Sequence, residues 1–197
     1  MGALLKRNIP NILSGTRAVL SFALIFLALN GASPLFMLKI AIVCGLLDLA
    51  DGWFARKFDA ESDFGAFLDR LADKIFICPI IVILAWRYWP SLEPWEIFMP
   101  ITKGLVVFAV FLEIVLMTSG LVGLFRKMNI NSNKWGKRKM VVQSVAVCVW
   151  FLMAFVSSGV RGESAIILHV LYFIVNLLLI ASVALAVKSL EGYWEKW

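Results

Sequence analysis

The sequence predicts an all-α integral membrane protein with six transmembrane helices, short loops and both termini in the cytoplasm. Three observations predict it. Of the 197 residues, 61% are hydrophobic and 16% charged, whereas roughly a quarter of a soluble domain is charged. The apolar residues gather into six runs, each long enough to cross a hydrocarbon core about 30 Å thick. The basic residues between those runs fall almost entirely on one side. With a mean hydropathy of +0.88, this composition excludes a soluble globular domain, a disordered chain, a disulfide-stapled secreted module and a DNA-binding module. In a soluble protein the net charge of +6 would suggest nucleic acid. Here Lys and Arg that fix membrane orientation account for it, so no nucleic-acid partner is expected. The length suits a single membrane domain over residues 1–197 with little mass outside the bilayer.

The runs follow one another closely. Residues 1–11, MGALLKRNIPN, are too polar and short to span and lack a following small-residue cleavage site. They mix basic and apolar side chains, which suits an interfacial helix lying on the cytoplasmic surface. The first span is expected over 12–30. A turn of Asn, Gly, Ser and Pro over Asn30–Pro34 leads to the second, over 34–56. The charged loop 57–63, KFDAESD, makes a hairpin with the third, over 64–87. Residues 88–96, with Trp89, Pro90, Pro94 and Trp95, precede the fourth at 97–120. The longest polar link, 121–137, precedes the fifth at 138–158, and the sixth is expected at 164–187.

Lys and Arg counts set the orientation. Twelve, among them Lys6, Arg7, Arg56, Lys57 and Lys188, lie on the side that holds both termini and the loops at 57–63 and 121–137. Only Arg87 and Arg161 lie on the other, so the first side is cytoplasmic. Trp86, Trp89 and Trp95 suit the far interface, and Trp53, Trp135 and Trp194 the near one. Cys44, Cys78 and Cys148 sit inside apolar runs without Cys-x-x-Cys spacing, and read as small packing residues.

Four acids stand inside this apolar frame. Asp48 and Asp51 lie in the second run, and Asp69 and Asp73 in the third. Each carboxylate at the centre of a bilayer costs about 2.5–3.5 kcal/mol on the mildest scale. Spacings of three and four residues put both members of each pair on one helix face. Around the hairpin loop, Asp51 falls level with Asp69 and Asp48 with Asp73, in two layers about 5 Å apart. Four carboxylates that converge so closely require protons or cations. Two divalent ions balance the charge, and two-metal sites space their ions about 3.5–4 Å apart. Oxygen-only ligands favour Mg²⁺ or Mn²⁺. Nearer the cytoplasmic mouth, Gly52, Ala55 and Gly65 leave room for a ligand, and Arg56 suits a phosphate. Together these describe a diphosphate site at the membrane surface. The acids alone would also suit a proton or cation pathway, so a divalent-cation transporter is the competing reading from a different class, and the spacing of Gly52, Arg56 and Gly65 argues against it.

The run Asp48-x2-Asp51-Gly52-x2-Ala55-Arg56-x8-Gly65-x3-Asp69-x3-Asp73 resembles the signature of the CDP-alcohol phosphotransferase family. Asn8-Ile9-Pro10-Asn11 with Ser14 and Arg17 is similar to the start of its bacterial phosphatidylglycerophosphate synthase branch. Gly136-Lys137-Arg138-Lys139 with Gln143 is similar to that branch and to eukaryotic-type cardiolipin synthases. The resemblance implies transfer of a phosphatidyl group from CDP-diacylglycerol to glycerol 3-phosphate with release of CMP, at the cytoplasmic face of a bacterial membrane. It implies metal ligation by Asp48, Asp51, Asp69 and Asp73, with Asp73 also the catalytic base, and a CDP pocket of Gly52, Ala55, Arg56 and Gly65. It also implies a homodimer. The chain departs from the branch at Arg70, where Pro is usual, and at Met140, where Thr is usual. Arginines usual in the fourth span are missing, and residues 101–120 hold only Lys103 and Glu113 as charged groups. Phosphatidylglycerol and inositol phosphate therefore stand as alternative acceptors.

A phosphorylated acceptor needs basic residues near Asp73. Arg17, Lys137 and Lys139 are the candidates, each near a cytoplasmic helix end. Topological anchoring of the lysines and snorkelling of Arg17 are the alternatives. Glu113, a lone acid in a span, is expected to pair with a basic residue or line a cavity. His169, the single histidine, reads as structural.

Overall fold

The computed structural model describes the backbone of residues 2–57, 63–89, 98–125, 134–159 and 165–194. Side chains are described for 12–50, 73–89, 98–122, 135–158 and 166–192. Six helices run through these residues: α1 Gly2–Leu29, α2 Pro34–Lys57, α3 Asp63–Arg87, α4 Met99–Phe125, α5 Lys134–Gly159 and α6 Ala165–Trp194. Each covers one of the six apolar runs, save for at most two residues at one end. α1, α5 and α6 extend beyond their runs into stretches that hold Lys6, Lys134, Lys188 and Glu191, and Lys and Glu are good helix formers that the hydropathy pattern ignores.

The N-terminal segment is not a separate interfacial helix. It forms the first turns of α1, whose 28 residues measure about 42 Å and so exceed a hydrocarbon core of about 30 Å. The excess places Lys6 and Arg7 beyond the apolar stretch that starts at Ile12.

The α1–α2 turn has a full set of stop and start signals. Gly31 takes φ 71°, a left-handed conformation that glycine adopts without a Cβ penalty. Ala32 N donates to Leu27 O (3.0 Å) and Gly31 N to Ala28 O (3.4 Å), the paired bonds of a Schellman motif. Ser33 O then accepts from Phe36 N and Met37 N, and Pro34 fills the first helical position, where no N–H is needed. This turn lays α2 back against α1.

Two compact units divide within α3: Met1–Phe76 and Ile77–Trp197. In the first, Leu24, Ala28, Met37, Ala41 and Cys44 are buried, so small residues sit at the α1–α2 contact where backbones approach closely. In the second, α6 packs on both α4 and α5. Leu112, Leu116 and Ala186 form a buried cluster there, flanked by Val183 and Leu190. At another level of this unit, Thr102 Oγ1 donates to Asn176 Oδ1 (2.7 Å) and lies 3.1 Å from the Tyr172 hydroxyl. Trp89 packs edge-on against Tyr172 and Trp150.

Among the described residues, four helices are long and apolar enough to cross a bilayer, through Ile12–Leu29, Met99–Val122, Trp135–Ser158 and Ile166–Gly192. No more than 39% of any of these windows is buried in the protein. Large apolar side chains such as Phe22, Phe26, Phe111, Ile166 and Phe173 lie outermost, as lipid-facing residues do. The helices α2 and α3, 24 and 25 residues long, differ in charge: every 18-residue stretch of either holds more than two charged groups. The two helices least suited to lipid are therefore the two that bear the acidic motif.

Candidate active site

Arg17 lies one turn before Ser21 on α1, inside an otherwise apolar run, and is buried. A buried guanidinium requires anionic partners. Asp48 of α2 and Asp73 of α3 provide them. Arg17 Nη1 donates to Asp48 Oδ1, and Nη2 stands 3.0 Å from Asp73 Oδ1. The Arg17 and Asp73 side chains are 5% and 14% exposed, whereas Asp48 is 41% exposed and opens the cluster to its surroundings. All three residues belong to the first compact unit. Asp48 and Asp73, which the hairpin register puts at one level, both reach a single cationic group.

That convergence tests whether the residues suit a metal. Two carboxylates from different helices already meet at one positive charge, and their donors are hard oxygens of the type that hold Mg²⁺ or Mn²⁺. Among the described residues no group of three or more candidate ligands occurs. The side chains of Asp51 and Asp69, the other two expected ligands, lie outside the described residues, as do those of Ala55 and Arg56 and the surroundings of Gly52 and Gly65.

The three basic residues expected at an acceptor phosphate do not share one environment. Arg17 is engaged with the acids, so it is not a snorkelling side chain. Lys137 is exposed. Lys139 is buried in the second unit, with its ammonium 2.5 Å from Glu113 Oε1. Gln143 Nε2 donates to the same oxygen at 2.8 Å. Glu113 thus pairs with a basic residue, as its isolation in a span predicts. Gln143, one turn beyond Lys139, completes this second polar cluster, and their i, i+4 spacing was the signal for it. Arg138 and Lys188 flank the Trp135 ring at 5.3 and 4.9 Å, so Trp135 joins basic residues of α5 and α6 through cation–π contacts.

Apolar helices with outward-facing hydrophobic side chains, and a charged cluster in which Arg17 of α1 meets acids of the two motif-bearing helices, define an integral membrane protein with an internal polar site. The chain belongs to the CDP-alcohol phosphatidyltransferase family, whose model matches residues 7–188, and it is a membrane-embedded phosphatidyltransferase of phospholipid biosynthesis. It is similar to the CDP-diacylglycerol–glycerol-3-phosphate 3-phosphatidyltransferase of Haemophilus influenzae, at 28% identity over 148 residues, 73% of this chain and 75% of that one. The enzyme of the same name from Cereibacter sphaeroides is 33% identical over 150 residues, 74% of this chain and 63% of its own length. A probable CMP-forming cardiolipin synthase of Drosophila melanogaster is 34% identical over 116 residues, 58% and 32% of the two chains. No solved structure matches the chain significantly.

Proposed function

We propose that the protein transfers a phosphatidyl group from CDP-diacylglycerol to glycerol 3-phosphate and releases CMP, in a metal-dependent reaction at the cytoplasmic face of a bacterial membrane. The observation that carries the reading is the meeting of Asp48 and Asp73, the first and last acids of the motif, at one cationic group. The similarity to the Haemophilus and Cereibacter enzymes supports glycerol 3-phosphate as acceptor.

In this reading Asp48, Asp51, Asp69 and Asp73 hold two divalent cations, Mg²⁺ or Mn²⁺. Such ions neutralise the diphosphate and the charge that develops on the CMP leaving group. Gly52, Ala55, Arg56 and Gly65 line the CDP pocket. Asp73 accepts the proton of the acceptor hydroxyl, whose oxygen attacks the lipid-side phosphorus as the bond to CMP breaks. Arg17 is the basic residue best placed to meet an acceptor phosphate, since it already stands beside Asp73. All six helices cross the bilayer with both termini cytoplasmic, and the chain works as a homodimer.

One observation favours a second acceptor. α4 carries no arginine, and Lys139 is committed to Glu113, which leaves few cations for a phosphate dianion. Phosphatidylglycerol, with a singly charged phosphodiester, asks less of the site, and the likeness to the Drosophila protein agrees with it.

The test is CMP release by purified protein given CDP-diacylglycerol, Mg²⁺ and a panel of glycerol 3-phosphate, phosphatidylglycerol and inositol phosphate. The fastest acceptor names the enzyme. Metal flux in proteoliposomes with no CMP release from any acceptor would replace this reading with transport.

A further inference from the structure

We propose that Arg17 is a resident counter-cation of the carboxylate site: its guanidinium holds Asp48 and Asp73 together and competes with the divalent cation for them. The inference rests on the metal-dependent reading above. Two facing carboxylates, one of them largely buried, repel each other and require a positive charge. Arg17 supplies it from a third helix, with one terminal nitrogen on each acid. Its side chain is 5% exposed, so the contact is not a solvent-screened surface pair.

The planar fork of a guanidinium reaches two acceptors at once, which the single point charge of a lysine ammonium cannot do with the same geometry. Arg17 thereby ties α1, α2 and α3 of the first unit together in the metal-free protein. The same charge acts against the metal. A divalent ion bound to Asp48 and Asp73 would lie within a few ångströms of a full positive charge, and at that range the repulsion is weakly screened. Metal binding then displaces Arg17 from at least one carboxylate and frees its nitrogens for an anion. Arg17 therefore lowers metal affinity and keeps the metal-free site assembled.

The experiment uses the full chain in detergent, stripped with EDTA, with Mn²⁺ binding followed by loss of the free-ion electron paramagnetic resonance signal. Arg17→Gln is expected to bind Mn²⁺ about tenfold more tightly than the wild type. Its metal-free form should unfold at a lower temperature, and Mn²⁺ should recover the difference. Asp48→Asn should bind more weakly than either. If the wild type binds Mn²⁺ and Arg17→Gln binds it equally or less tightly, the competition is wrong while the metal reading stands. If no variant binds Mn²⁺, both fall. Should Arg17→Gln fail to fold, Arg17→Lys decides alone: it is expected to bind about two- to threefold more tightly, because the fork is lost while the charge remains, and an unchanged or weaker affinity overturns the proposal.

Discussion

The ammonium of Lys139 lies 2.5 Å from Glu113 Oε1, and both side chains are almost wholly buried within the second unit. A basic residue that would otherwise suit a phosphate is thus committed to a carboxylate one helix away. Gln143 donates to the same carboxylate, which fixes its orientation and leaves the lysine little freedom.

Removing one member of this pair strands a buried charge, at a cost of about 3–5 kcal/mol. Glu113→Ala and Lys139→Ala are each expected to lower the unfolding midpoint markedly. The double change Glu113→Leu with Lys139→Met should recover most of the loss, because similar-sized apolar groups leave no charge behind. Thermal unfolding in detergent reads the cycle. Turnover at saturating glycerol 3-phosphate separates structure from binding: a purely structural pair returns both activity and KM in the double variant. A KM that stays raised would put Lys139 back at the acceptor.

How much of this was legible in the sequence depends on range. The six helices were legible because each apolar run is of membrane-spanning length, and the ends of α1, α5 and α6 were not, since hydropathy stops short of the turns that hold Lys6, Lys134 and Glu191. The level placement of Asp48 and Asp73 followed from a short hairpin loop, a local constraint. The role of Arg17 did not, because nothing in a sequence sets the rotation of α1 against α2, and a lone arginine in an apolar run reads equally well as a snorkelling side chain. Glu113 announced its need for a cation but not which one. Lys137, Arg138 and Lys139 are consecutive, and helix phase alone decides that Lys139 turns inward while Lys137 and Arg138 stay exposed.

Depletion of divalent ions should abolish CMP release. A hard-oxygen site recovers with Mg²⁺ or Mn²⁺ and poorly with Zn²⁺, which prefers nitrogen and sulfur ligands. Metal-free protein dialysed against EDTA and assayed with each ion reads this directly. Full activity in EDTA would remove the metals from the mechanism.

The proposed topology places residues 58–62 in the cytoplasm and 90–97 outside. Cys44, Cys78 and Cys148 sit within helices α2, α3 and α5, where a membrane-impermeant maleimide does not reach. Ala60→Cys is therefore expected to label only in inside-out vesicles and Ser91→Cys only in right-side-out ones. Labelling of both from one side would mean that α3 does not cross.

Asp73 and Asp48 share a cation contact, yet they should fail differently. In the proposed reading Asp48→Asn removes the negative charge of a metal ligand, so its activity should fall and then partly return as Mg²⁺ is raised, a shift in metal requirement. Asp73→Asn would also remove the proposed catalytic base, and general-base catalysis contributes about 10²- to 10⁴-fold. Its CMP release should stay reduced by that order at every Mg²⁺ concentration, while CDP-diacylglycerol binding changes little. Arg17 sharpens the comparison, because Asp73 is the less exposed of its two partners. In Asp73→Asn the guanidinium loses one of its anionic partners, and the metal-free protein should lose stability as well as turnover. Measured side by side, metal titrations of the two variants assign the base: rescue of Asp73→Asn by Mg²⁺ would make it a ligand alone and move the proton to another group.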